Sequence, residues 1–211
     1  MFDWINTCKK YRAVQQLISR ENAGCEIALP EPILPELALG KALRARRSER
    51  NFVSDSISLQ ELSNLLWCAN GINKIDENQK VFRTAPTASN HQEIDLYVFD
   101  ANGGYRYNYH KHNMEQLFSG DVRAFIGTQP FVEKAPVIVC IAADYSCMVR
   151  HNSWKKHRYS CVDAGYVSQN IYLYCAAAKL ATVACGKINH ELIKRILGIK
   201  DGDVILCHPI G

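Results

Sequence analysis

The run Ala135-Pro-Val-Ile-Val-Cys-Ile-Ala142 constrains the fold more than any other segment. It is continuous, apolar and rich in β-branched residues. A half-exposed strand would alternate with polar side chains, so an uninterrupted run of this length reads as a strand buried on both faces. Such a strand needs other elements packed on each side of its sheet. At 211 residues the chain can supply them within one compact domain, and it is too short for two ordinary ones.

The remaining elements follow from periodicity. Apolar residues from Trp4 to Ile18 recur at helical spacing over 4–20, with Asp3 placed to cap the helix and Gly24 to stop it. The segment Leu29-Pro-Glu-Pro-Ile-Leu-Pro35 cannot be helical, because its prolines lack N–H donors. It is read as an extended arm over 25–37 whose Ile27, Leu29, Ile33, Leu34 and Leu37 need burial. A short helix is expected over 39–46. Ser58-Leu-Gln-Glu61 is a capping box that opens a helix ending at Asn70-Gly71. Residues 73–92 look polar and irregular, 94–99 alternate as a strand, and Asn102-Gly103-Gly104 turns that strand into a hairpin. Helix is expected over 113–128 and 163–178. A strand over 180–185, a helix over 190–197 and a strand over 203–207 close the chain. This mixed order predicts an α+β fold rather than a doubly wound sheet.

Composition narrows the function classes. Twenty-five Lys and Arg against 21 Asp and Glu leave a net charge of only +4, which does not suggest nucleic acid as a partner. No stretch approaches the ~20 apolar residues of a membrane span. The N-terminus lacks the long apolar run of a secretory signal. Nine cysteines without tandem spacing read as reduced thiols of a cytoplasmic protein. No GxGxxG follows a strand, and Gly186-Lys187 has Ala181 where a P-loop needs its first glycine.

Two segments carry candidate chemistry. Arg46-Arg47-Ser48-Glu49-Arg50 offers guanidinium forks and a hydroxyl suited to phosphate oxygens, although a basic helix end can equally be a solvated cap that complements the dipole. Arg83-Thr-Ala-Pro86-Thr87-Ala88-Ser89-Asn90 offers small hydroxyl and amide groups for a polar ligand, or simply a proline-started turn. Cys147, His151, His157 and Cys161 have zinc-ligand chemistry, but their irregular spacing lacks a C-x2-C pair and argues against a metal. They are read as part of a polar loop over 145–161, with Trp154 and four basic residues.

Together these motifs resemble the FMN-dependent nitroreductase family. Arg46-Arg-Ser-x-Arg50-x-Phe52, Ser58 to Gly71, Arg83 to Asn90, Asp163-Ala-Gly-x-Val-Ser-Gln-Asn170 and His208-Pro-Ile-Gly211 fall in the family's order. The likeness spans residues 39–211 and leaves 1–38 as an N-terminal helix and proline-rich arm. It is nearest to the short branch that includes azoline dehydrogenases. The resemblance implies a three-layer fold, with a central mixed, mainly antiparallel sheet flanked by helices, in an intertwined homodimer with FMN at the interface. It implies that Arg46, Arg47 and Ser48 hold the phosphate and ribityl chain, and that Arg50 faces the pyrimidine edge. Pro86, Thr87, Ala88, Ser89 and Asn90 would reach the same flavin from the partner protomer, and Gly186 and Lys187 would face its N5 and O4 edge.

No catalytic side chain is required, because the flavin carries the chemistry. The activity implied is ping-pong hydride transfer from NAD(P)H to a nitroaromatic, quinone or similar acceptor. The alternatives are a peptide azoline dehydrogenase that passes electrons to oxygen, and a flavin-binding protein without turnover. Many relatives continue past the closing Pro-x-Gly with further basic residues, so here either the phosphate clamp is incomplete or Arg46, Arg47 and Lys187 suffice. Residues 1–38 are expected to pack across the partner subunit, since an amphipathic helix on an apolar arm has little to bury against locally.

Overall fold

The computed structural model describes residues 2–52 and 56–211, without the side chains of residues 2–5. A six-stranded sheet runs in the order β1 (Glu26–Ala28), β6 (Asn113–Ser119), β5 (Gly103–Asn108), β4 (Ile94–Phe99), β7 (Val137–Asp144) and β8 (Gly202–Ile210). Each of these neighbouring pairs is antiparallel.

Strand periodicity divides the core in two. Ile94, Leu96 and Val98 of β4 join Val139 and Ile141 of β7 on one face, under α3 (Leu59–Asn70) and α5 (Ser153–Ala178). Tyr97 and Phe99 join Ile138 and Cys140 on the other face, under α1 (Phe2–Leu17), α4 (Arg123–Ile126) and α6 (His190–Leu197). The central run of β7 is buried from Val137 to Ala143, as its composition predicts. The result is three layers: helices, sheet, helices. No helix among the described residues is long and apolar enough to cross a membrane.

The capping box at α3 forms in full. The Ser58 hydroxyl accepts from the Glu61 amide at 3.2 Å, and the Glu61 carboxylate accepts from the Ser58 amide at 2.9 Å. Ser58→Ala is expected to lower stability by about 1 kcal/mol, measured by urea unfolding. Gly104 faces Phe118 across the β5–β6 pairing, and a Cβ there would lie 2.4 Å from the Phe118 ring. Because Phe118 is fully buried, Gly104→Ala is expected to cost about 1–3 kcal/mol by overpacking and to lower Tm.

Several expectations need correction. Residues 113–119 form β6, paired on both edges, and only Arg123–Ile126 of the expected helix is helical. Pairing with β5 and β1 overrides the helix-forming composition of Met114, Glu115, Gln116 and Leu117. Within 73–92, β2 (Ile72–Ile75) and β3 (Val81–Arg83) form a separate hairpin around an Asp76-centred turn. Residues 180–185 are no strand: among the described residues their backbone pairs with β8 only at the isolated bridges Thr182–Ile210 and Cys185–Cys207. The polar stretch before residue 163 is not a loop throughout, because Ser153 to Arg158 form the first turns of α5.

The N-terminus also differs. Helix α1 spans Phe2–Leu17, short of Gly24, and the expected Asp3 cap falls on a side chain outside the described residues. It does find local partners. Val14 is buried in the second core, Lys10 donates to Asn189 at 3.2 Å, and Arg20 donates to the Ile196 carbonyl at 3.0 Å. The arm begins as β1 on the edge of β6, and Leu29 is buried. Ile33 and Leu34, by contrast, are 69% and 43% exposed in the single chain. Deleting residues 1–37 should therefore lower Tm, because it uncovers both α6 and the β6 edge.

Candidate functional site

Helix α2 (Leu39–Ala45) ends where Arg46, the last residue to donate into it, turns to an extended conformation. The Arg46 guanidinium lies over the Tyr172 ring of α5, 5.2 Å from its centroid. Ser48 Oγ sits 3.0 Å from the Tyr172 hydroxyl, and that hydroxyl accepts from the Ala184 amide at 2.8 Å. The Glu49 amide donates to the Thr182 carbonyl at 2.9 Å. Segment 46–50 is thus docked on the stretch 182–184 that leads straight into Gly186 and Lys187. Arg50 extends over Phe131, with 5.6 Å from guanidinium to ring centroid.

The predicted residues of this half come together, but in different roles. Arg47 turns back and donates to the Arg44 and Arg46 carbonyls at 2.9 and 3.1 Å, so it serves as a helix-end cap. Among the described residues, Arg46, Arg50 and Lys187 enter no ion pair. Gly186 is exposed, and a Cβ there would meet no atom within 4 Å. The Lys187 carbonyl accepts from the Thr128 amide and hydroxyl at 3.0 and 3.1 Å, which fixes this turn against the loop after α4.

Sequence reasoning did not single out Tyr172, Thr182 or His208 as supports. The His208 ring stands edge-on to Tyr172, 5.1 Å between centroids. It is fully buried between Ser168 Oγ at 2.8 Å and Thr182 Oγ1 at 3.0 Å. Thr182 Oγ1 donates to the Pro209 carbonyl, so it accepts from His208 Nδ1–H and leaves Nε2 to accept from Ser168. Burial pushes the imidazole down to about 3, and it stays neutral. The only signal for His208 was its place in the closing motif, and nothing marks Tyr172 except helical phase.

The second segment lies elsewhere. Pro86 and Thr87 lead into a 3-10 turn, Ala88–Asn90, in which Ser89 and Asn90 have φ of 51° and 55°. The Asn90 side-chain Nδ2 donates to the Val81 carbonyl at 3.1 Å, and the Ala88 backbone amide donates to Asp163 Oδ2 at 2.8 Å. Asp163 and Tyr172 are nine residues apart on α5, about two and a half turns, so they lie on opposite sides of that helix. Within one chain, residues 86–90 therefore do not meet 46–50. Between the two segments lies the outer face of α5, where Val162 and Tyr166 are half-exposed.

Cys147, His151, His157 and Cys161 form no metal-holding group among the described residues. His157 reaches Cys161 at 3.5 Å, and His151 reaches His91 at 3.2 Å.

The comparisons with known proteins agree with this architecture. The model of the nitroreductase family matches residues 43–211, the greater part of the chain. The chain belongs to the nitroreductase family. A nitroreductase-type protein of Methanocaldococcus jannaschii is 30% identical over 196 residues, 88% of this chain and 96% of its own length. A solved nitroreductase-type structure from Ralstonia eutropha JMP134 is 34% identical, with TM-score 0.81 and 88% of each chain covered. More distant members share the fold. A Desulfovibrio desulfuricans structure in complex with FMN has TM-score 0.57 and 20% identity, covering 83% of this chain and 86% of its own. The Escherichia coli microcin synthetase complex McbBCD, with a truncated pro-microcin bound, contains a chain with TM-score 0.65 and 11% identity, covering 88% and 77%. Membership makes this nitroreductase-family chain an oxidoreductase.

Proposed function

We propose that this chain is an FMN-dependent NAD(P)H oxidoreductase that works as a homodimer, each flavin lying between residues 46–50 and 186–187 of one copy and 86–90 of the other. The observation that carries this reading is the placement of the two segments on opposite sides of α5, flanking an apolar outer face that a second copy would cover. The donor set suits a phosphorylated, planar ligand. Arg46, Arg50 and Lys187, which enter no ion pair among the described residues, lie on the segments that lead to Gly186, where an added Cβ would meet no atom within 4 Å.

When bound, FMN supplies two-electron chemistry, taking hydride from NAD(P)H and returning it in ping-pong order to a nitroaromatic, quinone or similar acceptor. The protein contributes binding, orientation and electrostatics. Arg46 and Ser48, both held by Tyr172, fix the phosphate end, with Arg47 close by as the cap of α2. Arg50 places a fixed positive charge beside the edge of the ring that becomes electron-rich on reduction. Pro86, Thr87, Ala88, Ser89 and Asn90 close the site from the partner copy and exclude water. The nine free cysteines suit a reducing compartment, and we assign the protein to the cytoplasm. A second reading, a peptide azoline dehydrogenase, draws on the fold shared with the microcin synthetase chain.

The shared site has a direct test. Arg46→Ala and a variant of the 86–90 segment, Asn90→Ala, should each hold FMN poorly. Unfolded together and refolded as a mixture, they should regain intact sites in about a quarter of the positions, because each mixed dimer carries one unaltered site. No recovery would contradict a site built from two copies.

A further inference from the structure

Beside the 86–90 segment, two carboxyl groups are buried against each other. Glu93 and Asp163 are only 1% and 2% exposed. Ser160 Oγ donates to Glu93 Oε1 at 3.3 Å, Glu93 Oε2 has no donor among the described residues, and the carboxyl lies within interaction range of Asp163. Two carboxylates cannot both be ionised at such a place without a large penalty, and one proton between them removes it. The Glu93 carboxyl can then donate to Asp163, whose Oδ2 accepts from the Ala88 amide at 2.8 Å.

We propose that Glu93 and Asp163 share one proton and form a latch that holds the 86–90 segment through the Asp163–Ala88 hydrogen bond, a latch that weakens as the pH rises. Both are positioning residues. The proton can exchange with solvent through an adjoining cleft of about 340 Å³, lined by Asn90, His91, Glu93, Asp95, Asp144 and Cys147 among others. The groups facing Glu93 are Ser160 and Asp163 from α5, Tyr145 and Cys147 from the turn after β7, and Arg83 from β3. Asp144 holds the Glu93 carbonyl through its amide at 2.8 Å, and His91 with its neighbour His151 lies along the same wall.

Burial, reinforced by Asp163, pushes the Glu93 carboxyl from 4.5 up to about 7. The latched form therefore binds its proton more tightly than a released form does. Latching is complete below about 4.5, is lost progressively up to about 7, and is level above that.

The test is hydrogen exchange at the Ala88 amide, expressed as protection relative to an unstructured peptide. Protection should fall about tenfold or more between about pH 5 and about pH 7.5. Glu93→Gln keeps a donor toward Asp163 but removes the titrating proton, so its profile should be flat while His91 and His151 stay in place. Asp163→Asn keeps an acceptor for Ala88 and removes the neighbouring charge, so its profile should be shallower than that of the unaltered protein, with burial alone still holding the Glu93 carboxyl up. A flat profile in the unaltered protein, or an unchanged slope in Glu93→Gln, would overturn the latch. The consequence for flavin rests on the reading of 86–90 as a wall of that site, and FMN retention should weaken over the same range. Should Ala88 protection follow pH while FMN retention does not, the latch stands and that reading of 86–90 fails.

Discussion

Arg46→Ala should weaken FMN binding about tenfold to a hundredfold, read by equilibrium titration of flavin fluorescence. The variant loses a charge-assisted hydrogen bond, about 1.5–3 kcal/mol, at roughly 1.4 kcal/mol per decade. Arg46 is suited to this role because its guanidinium is stacked on Tyr172 and engaged in no ion pair among the described residues, so its donors are available to an anion. Arg158→Ala is the control: that guanidinium lies 5.2 Å from the ring of Trp154, on the first turns of α5 and away from Tyr172. Arg47→Ala should fall between the two, since the Arg47 side chain already caps α2. Equal affinities for the Arg46 and Arg158 variants would refute the clamp.

The second large effect is on acid stability. His208 is held neutral by burial, with its pKa near 3 in the fold against an ordinary 6.5. The unfolded chain takes up a proton below 6.5 and the folded chain does not, so stability is full above that value and declines as pH falls toward 3. Over the whole interval the loss is on the order of 4–5 kcal/mol, and about half of it should be present by about pH 4.5. Glu93 acts in the opposite sense, because its raised pKa favours the folded state as pH falls from about 7 to 4.5. Urea unfolding is therefore best compared in a Glu93→Gln background, with and without His208→Gln. The His208 variant should be weaker at neutral pH, where its hydrogen bonds to Ser168 and Thr182 are disturbed, and should lack the acid slope. An unchanged slope would mean that His208 does not titrate on unfolding.

Elements with strong local signals were legible in the sequence. The capping box at Ser58, the apolar run of β7, the hairpin after Phe99 and helix α6 all stand where periodicity and turn chemistry place them. The errors share a physical cause. Strand β6 is built from helix-forming residues and is extended only because both of its edges are paired. Residues 180–185 look strand-like because they are apolar, yet among the described residues their backbone pairs with β8 only at isolated bridges. Helix α1 has no partner nearby in the sequence, because α6, on which it packs, lies at the far end of the chain.

The site shows the same division. Residues 46–50 dock on 182–184, just before Gly186, a contact between distant segments that motif order alone cannot display. The groups that hold them, Tyr172, Thr182 and His208, carry no short motif of their own. Their role depends on three-dimensional hydrogen bonding and on helical phase along α5. The same is true of Glu93, whose neighbour Asp163 is seventy residues away in the chain.

The most direct measurement is a visible absorption spectrum of the purified protein after addition of FMN and desalting, followed by anaerobic NADH or NADPH. A retained flavin band that bleaches with one of the two donors is the expected result. A retained band that no donor bleaches would contradict the NAD(P)H half-reaction and favour the azoline dehydrogenase reading. Protein that emerges colourless would contradict the flavin site itself.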